Sequence, residues 1–289
     1  MLLSKRRELH RRAAECLERL DPERIYDIAR HFSEAQELAR ALPYLVQAGA
    51  RAAREYSTQE AIGYFARAVE IAHAQKDVSH ARRAYEGLGN ALLLVGDVPR
   101  VVQNYQAMLE FARAQTDAAM QVSALNKLAM VQMMMGDFAT VESNLRESEK
   151  IARAANDRAG LAEMFTVRCG ICTGTGDFDG AIKYLGESVE VGRELNVKEQ
   201  MAFGMTHTAN TLMFLTKFDD AWHKAQEAMR VCEEIGDRQH QAELLAGVYP
   251  FVHICRGQFD VAKKFAEQGV AIGARIGSAM ALSDCNWML

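Results

Sequence analysis

Two cysteines stand three positions apart in Cys169-Gly170-Ile171-Cys172, a spacing that redox proteins and zinc sites both use. Redox proteins place the first thiolate of such a pair at the start of a helix beside a strand, where its pKa is lowered. Here the pair falls late in a helical pattern. A four-thiolate zinc site needs a second pair of this kind, and the sequence has none. We therefore interpret both cysteines as buried small residues.

A glycine-rich stretch, residues 170–177, is the part of the chain that most resembles a phosphate-binding loop. It lacks the Gly-Lys-Ser/Thr ending that would place a lysine on the phosphates. The pattern instead indicates the end of one helix and the turn after it. Gly170, Gly174 and Gly176 weaken that helix. We expect them to admit a closely packed neighbour, with a soft hinge as the alternative.

The eight histidines are scattered, and none belongs to an H-E-x-x-H motif or another close ligand pair. They are His10, His31, His73, His80, His207, His223, His240 and His253. The sequence brings no nucleophile, base and acid together. We therefore predict no catalytic residues, no cofactor, no metal site and no enzymatic activity in this chain.

The bulk properties favour a cytoplasmic helical protein. The chain has 289 residues, of which 49% are hydrophobic, with 20 Gly and only 4 Pro. Its net charge of −4 argues against direct nucleic-acid binding. The six cysteines are spread along the chain, which is typical of reduced thiols. The sequence has neither a signal-peptide pattern nor an apolar run long enough to span a membrane, so we expect no membrane association.

A 40-residue repeat organises most of the chain. Turn signals recur at Gly96-Asp97-Val98, Gly136-Asp137-Phe138, Gly176-Asp177-Phe178, Lys217-Phe218-Asp219 and Gly257-Gln258-Phe259. After one turn, Phe178, Ala181, Ile182, Leu185 and Val189 fall on one face of a helix. Each period therefore predicts two helices, with Asp or Asn suited to capping the helix starts and Gly suited to ending helices. The predicted pairs are 38–56/58–75, 78–95/98–115, 118–135/138–155, 158–175/178–195, 198–215/218–235 and 238–256/259–276.

The repeat resembles the tetratricopeptide (TPR) pattern. Tyr85, Leu88 and Gly89 match the signature of its first helix, and Gly176-Asp177-Phe178 with Ala181 match its turn and second helix. Ala61, Phe65 and Ala68 match the second helix again. The period of 40 instead of 34 and the missing closing proline are departures from the family. The resemblance implies an all-α, right-handed superhelical solenoid over residues 36–289, with six helix pairs and a partial seventh at 278–289.

The first 75 residues resemble the junction before the TPR sensor of STAND-type bacterial signalling ATPases. The resemblance rests on Arg6–Glu15, Ile25–Phe32, Ala41–Leu45 and Ala61–Phe65. It implies that residues 1–35 are helices from the tail of an ATPase-side region, and that His31 is a packed structural residue. In such proteins the remaining domains include a nucleotide-binding ATPase, and either a nucleotide cyclase or a LuxR-type regulator.

The resemblance also implies that the first helices of the units line a concave binding groove. Repeat position places these residues on that side: Arg83, Glu86, Asn90, Asn126, Met130, Met133, Glu163, Thr166, Thr173, Phe203, Thr206, Asn210 and Met213. Asn90 and Asn210 share one repeat position, at which this family often binds a peptide backbone. A solvated polar face is the alternative. The groove lacks the Lys and Arg of the family's carboxylate clamp, so we do not expect it to bind an acidic C-terminal tail.

Pro250 lies inside the first helix of the last complete pair, in the only unit that carries an extra residue. Proline removes one backbone hydrogen bond and clashes with the preceding turn. We predict a kink or bulge near residues 246–250.

Together these observations favour a sensor or protein-interaction module of a bacterial signalling protein. Its groove would bind a peptide, a protein or a small effector, and binding would regulate an upstream ATPase. The alternative is a structural scaffold that self-associates as a homo-oligomer through its C-terminal end. The incomplete last helix indicates either a segment of a longer protein or an end that a partner covers.

Overall fold

A computed structural model describes residues 2–55 and 57–276, and within them every regular element is a helix. The described residues divide after Ile151 into two compact units. The N-unit contains α1 (Leu2–Leu20), α2 (Ile25–Glu34), α3 (Leu38–Arg54), α4 (Thr58–Gln75), α5 (Val78–Leu94), α6 (Val98–Ala114), α7 (Ala118–Met134) and most of α8 (Phe138–Ala154). The C-unit contains α9 (Arg158–Thr175), α10 (Phe178–Leu195), α11 (Lys198–Phe214), α12 (Phe218–Ile235), α13 (Arg238–Ala246), α14 (Val248–Cys255) and α15 (Phe259–Ile276).

Left-handed residues recur about every 20 positions and separate most of the successive helices. They have positive φ angles between 53° and 80°, and they are Gln36, Lys76, Gly96, Thr116, Gly136, Asn156, Gly176, Asn196, Thr216, Gly236 and Gly257. A left-handed residue just past a helix end lets the last carbonyl groups find donors in the turn. The predicted period of 40 is therefore two of these turns.

Aspartates begin many of the helices. The carboxylates of Asp77, Asp97, Asp117, Asp157, Asp177 and Asp237 each accept a hydrogen bond from the backbone N–H three residues later. This N-cap contact satisfies one of the donors that a helix start leaves open. The sequence prediction that acidic turn residues begin helices is confirmed at these positions.

In the N-unit, aromatic side chains of α4 and α6 fill the space that glycines leave on the first helices. Phe65 of α4 and Tyr105 of α6 are buried. A methyl group on Gly87 would lie 2.4 Å from the ring of Phe65, and one on Gly89 would lie 2.2 Å from the hydroxyl of Tyr105. These contacts explain the glycine of the Leu-Gly signature in α5, since only glycine leaves room for the neighbouring ring.

Helices α1 and α2 pack against α3. Arg40 forms ion pairs with Glu15 at 2.9 Å and Glu18 at 2.8 Å, while its guanidinium lies 4.2 Å from the ring centroid of Phe32. Tyr44 donates a hydrogen bond to Glu18 and stacks on Phe32. Side-chain contacts therefore cross residue 35, where the sequence analysis placed the boundary between the N-terminal helices and the solenoid.

The helix predicted over 238–256 is broken at Gly247, as Pro250 led us to expect. Gly247 has φ −107° and ψ −84°, outside the helical range, and separates α13 from α14. Pro250 occupies the first turn of α14, where a missing backbone N–H costs little. The predicted partial helix at 278–289 lies outside the described residues. Within the described ranges, no helix combines the length and apolar character that crossing a membrane requires.

Candidate ligand-binding site

The C-unit contains a cavity of about 730 Å³ between the first helices of its three helix pairs. Side chains and backbone of α9, α11, α13 and α14 line it, together with the break at Gly247. The lining residues are Thr166, Cys169, Gly170, Thr173, Gly174, Phe203, His207, Asn210, Thr211, Met213, Phe214, Glu243, Gly247 and Phe251.

One part of the cavity wall is apolar and aromatic. Phe203 and Phe214 lie on α11, and Phe251 follows on α14. Phe214 stacks on Phe178 with ring centroids 5.9 Å apart, yet it remains 61% exposed. A large exposed ring at the mouth of a cavity provides apolar surface for a ligand.

Asn210 supplies a polar group to the lining. It is half-buried, and within the described ranges its amide makes no hydrogen bond. Its Oδ1 atom would lie 3.6 Å from a methyl group placed on Gly247, so the helix break leaves open space beside this amide. An amide offers both a donor and an acceptor, which is what the backbone of an extended peptide requires.

Two histidines and a carboxylate converge at the wall of the cavity. One ligand atom from each of His207, His240 and Glu243 lies within 4.8 Å of the other two. His207 and Glu243 line the cavity. Burial, and then the neighbouring His240, lowers the pKa of His207 to about 4. His207 is therefore neutral near pH 7, with a nitrogen lone pair available for a proton or another electrophile.

Neighbouring side chains orient this cluster. The imidazole Nδ1 of His240 lies 2.6 Å from a carboxylate oxygen of Asp237, which can only accept, so the nitrogen carries the proton. Gln239 donates a hydrogen bond of 2.7 Å to Glu243. The ring of Phe203 meets His207 edge-on at a centroid distance of 4.2 Å.

The predicted groove residues of the C-unit come together in part. Thr166, Thr173, Phe203, Asn210 and Met213 all line the cavity. Glu163 lies on α9, outside the lining.

Two residues predicted for the groove are fully buried, which corrects their assignment. Asn126 and Thr206 share one repeat position, and both are 0% exposed. Asn126 accepts a hydrogen bond of 2.6 Å from Ser148, so it points from α7 to the second helix of its own pair. Neither side chain is accessible to a ligand.

The remaining predicted residues lie in the N-unit. Arg83 and Asn90 are exposed on α5, while Met130 and Met133 are half-buried on α7. Glu86 accepts hydrogen bonds from Arg82 and Ser123, which joins α5 to α7. Glu86 therefore has a structural contact instead of an open carboxylate.

The cysteine pair and the glycine-rich stretch have different outcomes. Cys169 is buried and Cys172 is half-buried, and burial raises the pKa of both thiols, which disfavours reactive thiolates.

In the glycine-rich stretch, Gly176 ends α9 with φ 80°. The expected close packing at Gly174 is wrong, because a methyl group there would meet nothing within 4 Å. Gly174 instead borders the cavity.

Sequence reasoning did not find Phe251, Glu243 or the pairing of His207 with His240. The two histidines are 33 residues apart and lie on first helices of consecutive pairs. The signal for this pairing would have been a comparison of the middle of one first helix with the start of the next.

Several solved structures are similar to this chain, whereas no protein-family model and no curated protein sequence matches it. One is a STAND protein with a tetratricopeptide repeat sensor from Pyrococcus horikoshii, with a TM-score of 0.66 and 12% identity over 97% of this chain and 42% of that chain. The apo form of RapI has a TM-score of 0.62 and 10% identity, covering 94% and 99% of the two chains. A Rap protein complexed with competence and sporulation factor has a TM-score of 0.50 and 14% identity, covering 87% and 74%.

Identities this low carry information on the fold alone. Together with the repeated helix pairs, they show that the chain is an all-α solenoid of tetratricopeptide type.

Proposed function

We propose that the C-unit binds an extended segment of a partner protein in the cavity between α9, α11 and α14. The observation that supports this most strongly is the pairing of an aromatic wall with Asn210, an amide that makes no hydrogen bond within the described part of the chain. Asn210 would bind the backbone of the segment, and one large apolar side chain would enter between Phe203 and Phe251. Backbone hydrogen bonds and one apolar anchor are a common way to recognise extended peptides.

The size and lining of the cavity support a peptide over a charged small molecule. A volume of about 730 Å³ is in the range of pockets that hold a compound or a few residues. Within the described residues, no arginine or lysine lines it. A strongly acidic ligand would therefore find no lysine or arginine side chain to pair with its charge.

A random peptide library displayed on phage, selected against the whole chain, supplies the probes for a test. Selected peptides are labelled, and their affinity is measured by fluorescence anisotropy. We expect Phe203→Ala to weaken binding at least tenfold, because it removes the apolar wall. Asn210→Ala should weaken it about fivefold to tenfold through the lost backbone hydrogen bonds.

Asn90→Ala is the matched control. Asn90 occupies the same repeat position three periods earlier and is exposed in the N-unit. Its replacement should leave the affinity unchanged. Peptides that bind Phe203→Ala and Asn210→Ala as tightly as the original chain would contradict the proposal.

We infer that this binding unit serves as the sensor of a larger bacterial signalling protein with an ATPase. The similarity to a STAND protein, of which this chain spans 42%, supports the inference. The resemblance of the first 75 residues to the junction before such sensors points the same way. In a protein that joins this chain to its ATPase, a selected peptide should change the rate of ATP hydrolysis, and Asn210→Ala should abolish that change. An unchanged rate at saturating peptide would rule out this regulatory role.

A further inference from the structure

The buried carboxylate of Glu243 lacks a cationic partner. Glu243 is 7% exposed, and its carboxylate forms no ion pair within residues 2–55 and 57–276. The amide of Gln239 is its hydrogen-bond donor. A buried carboxylate is costly unless it is paired with a positive charge or coordinates a metal ion. Two imidazoles stand beside it instead of a lysine or an arginine.

From this arrangement we propose that His207, His240 and Glu243 bind a divalent transition-metal ion of the zinc class. One ligand atom from each of the three lies within 4.8 Å of the others. Zinc bonds of about 2.0–2.2 Å place ligand atoms about 3.4 Å apart, so small side-chain rotations close the site. Two imidazoles with one carboxylate suit zinc and neighbouring transition metals better than magnesium or calcium.

The hydrogen bonds that the proposed ligands make to neighbouring groups resemble those found around protein metal sites in general. Histidine ligands usually donate their other ring N–H to a carboxylate, which fixes the ring and raises its basicity. Asp237 fills this role for His240, with the Nδ1 atom 2.6 Å from its carboxylate. The same aspartate accepts from the backbone N–H of His240 as the N-cap of α13. The Nε2 atom of His240 is thus left to coordinate the metal.

The metal site opens onto the cavity. His207 and Glu243 both line it, and three protein ligands leave at least one coordination position of a tetrahedral ion for water or a ligand group. The ring of Phe203 contacts His207 and lies 5.8 Å from the ring of His240, so it packs beside both imidazoles.

The same repeat positions elsewhere in the chain provide an internal control. Four periods earlier they hold Gln47, His80 and Arg83. His80 repeats the contact of His240, since its Nδ1 atom lies 2.7 Å from the carboxylate of Asp77. The capping contact alone therefore recurs without metal ligands beside it. Among the described residues, only the contact at His240 is joined to a second histidine, from α11, and to a glutamate.

The test titrates the untagged, metal-free chain with Zn²⁺ by calorimetry and with Co²⁺ by visible absorption. We expect one equivalent of either ion to bind, and Co²⁺ to show the absorption of a site with nitrogen and oxygen ligands. His207→Gln and Glu243→Gln should each lower the affinity at least tenfold, while His80→Gln leaves it unchanged. Bound Zn²⁺ should also raise the melting temperature of the original chain more than that of His207→Gln.

Far-UV circular dichroism of the metal-free variants checks that they fold. If Glu243→Gln disturbs folding, the affinity of His207→Gln still tests the site. Unchanged affinity in both variants would overturn the proposal. A thiolate-to-cobalt charge-transfer band that disappears in Cys169→Ser/Cys172→Ser would overturn it as well, because the ion would then sit on the cysteines. Peptide binding measured with a chelator present is a separate readout, so failure of this site and failure of the proposed function are distinguishable.

Discussion

At the scale of single residues, Gly89 shows how one missing methyl group admits a neighbouring ring. Tyr105 is 0% exposed, and its hydroxyl would lie 2.2 Å from a methyl group on Gly89. We expect Gly89→Ala to lower the free energy of unfolding by about 1–3 kcal/mol, because the ring has to move out of a packed core. Urea denaturation followed by circular dichroism measures this change.

Gly63→Ala is the control for Gly89→Ala. Gly63 also lies inside a helix of the N-unit, but a methyl group there meets nothing within 4 Å. This replacement should raise the free energy of unfolding by about 0.5–1 kcal/mol through helix propensity. Equal effects of the two replacements would mean that the contact with Tyr105 contributes nothing.

His31 carries a pH dependence of stability. Its Nδ1 atom lies 2.8 Å from that of His10. Burial lowers the pKa of His31 below the ordinary 6.5, and the charges of Arg30, His10 and Arg24 lower it further, while Asp27 opposes them. The unfolded chain therefore binds the proton more tightly than the folded chain. Stability should be full above about pH 6.5 and should fall as the pH drops below it.

The contribution of His31 is checked with His31→Gln. We expect this variant to show a shallower loss of stability between pH 7 and pH 5, measured by urea denaturation at each pH. A loss as steep as in the original chain would assign the proton uptake to other groups.

At the scale of elements, the break between α13 and α14 positions one side of the binding cavity. Gly247 adopts φ −107° and ψ −84°, and a methyl group there would lie 3.2 Å from the carbonyl oxygen of Glu243. We expect Gly247→Ala to weaken binding of the selected peptides at least fivefold, because the methyl group fills the space beside Asn210 and its close contact with the Glu243 carbonyl oxygen shifts α14. Fluorescence anisotropy measures the affinity.

Gly186→Ala is the matched replacement for Gly247→Ala. Gly186 lies in α10, also in the C-unit, and a methyl group there meets nothing within 4 Å. The variant should bind the peptides as the original chain does. If both replacements leave the affinity unchanged, the helix break has no part in ligand binding.

The elements themselves could be predicted from the sequence, because their signals are local. Asp77 and Asp237 cap helices through contacts three residues away, and Pro250 disturbs a helix through its own ring. The inaccessibility of Asn126 was missed because it depends on Ser148, which lies 22 residues further along the chain. The meeting of His207 with Glu243 depends on how two consecutive first helices pack, and no spacing within one unit encodes it.

At the scale of the whole molecule, binding of a partner segment and self-association predict different molar masses. If the cavity of the C-unit is the functional surface, the chain should remain near its monomer mass of 32.2 kDa across a concentration series. Multi-angle light scattering measures this directly. A mass that rises to a dimer or beyond with concentration would favour the scaffold alternative.

The most direct test of the central claim is photo-cross-linking with a selected peptide that carries a benzophenone in place of its apolar anchor. Mass spectrometry of the digested product then locates the adduct. Binding in the cavity predicts adducts on α9, α11 or α14, close to Phe203, Met213 or Phe251, and their loss when unlabelled peptide competes. Adducts confined to the N-unit that disappear in the same competition would contradict the account.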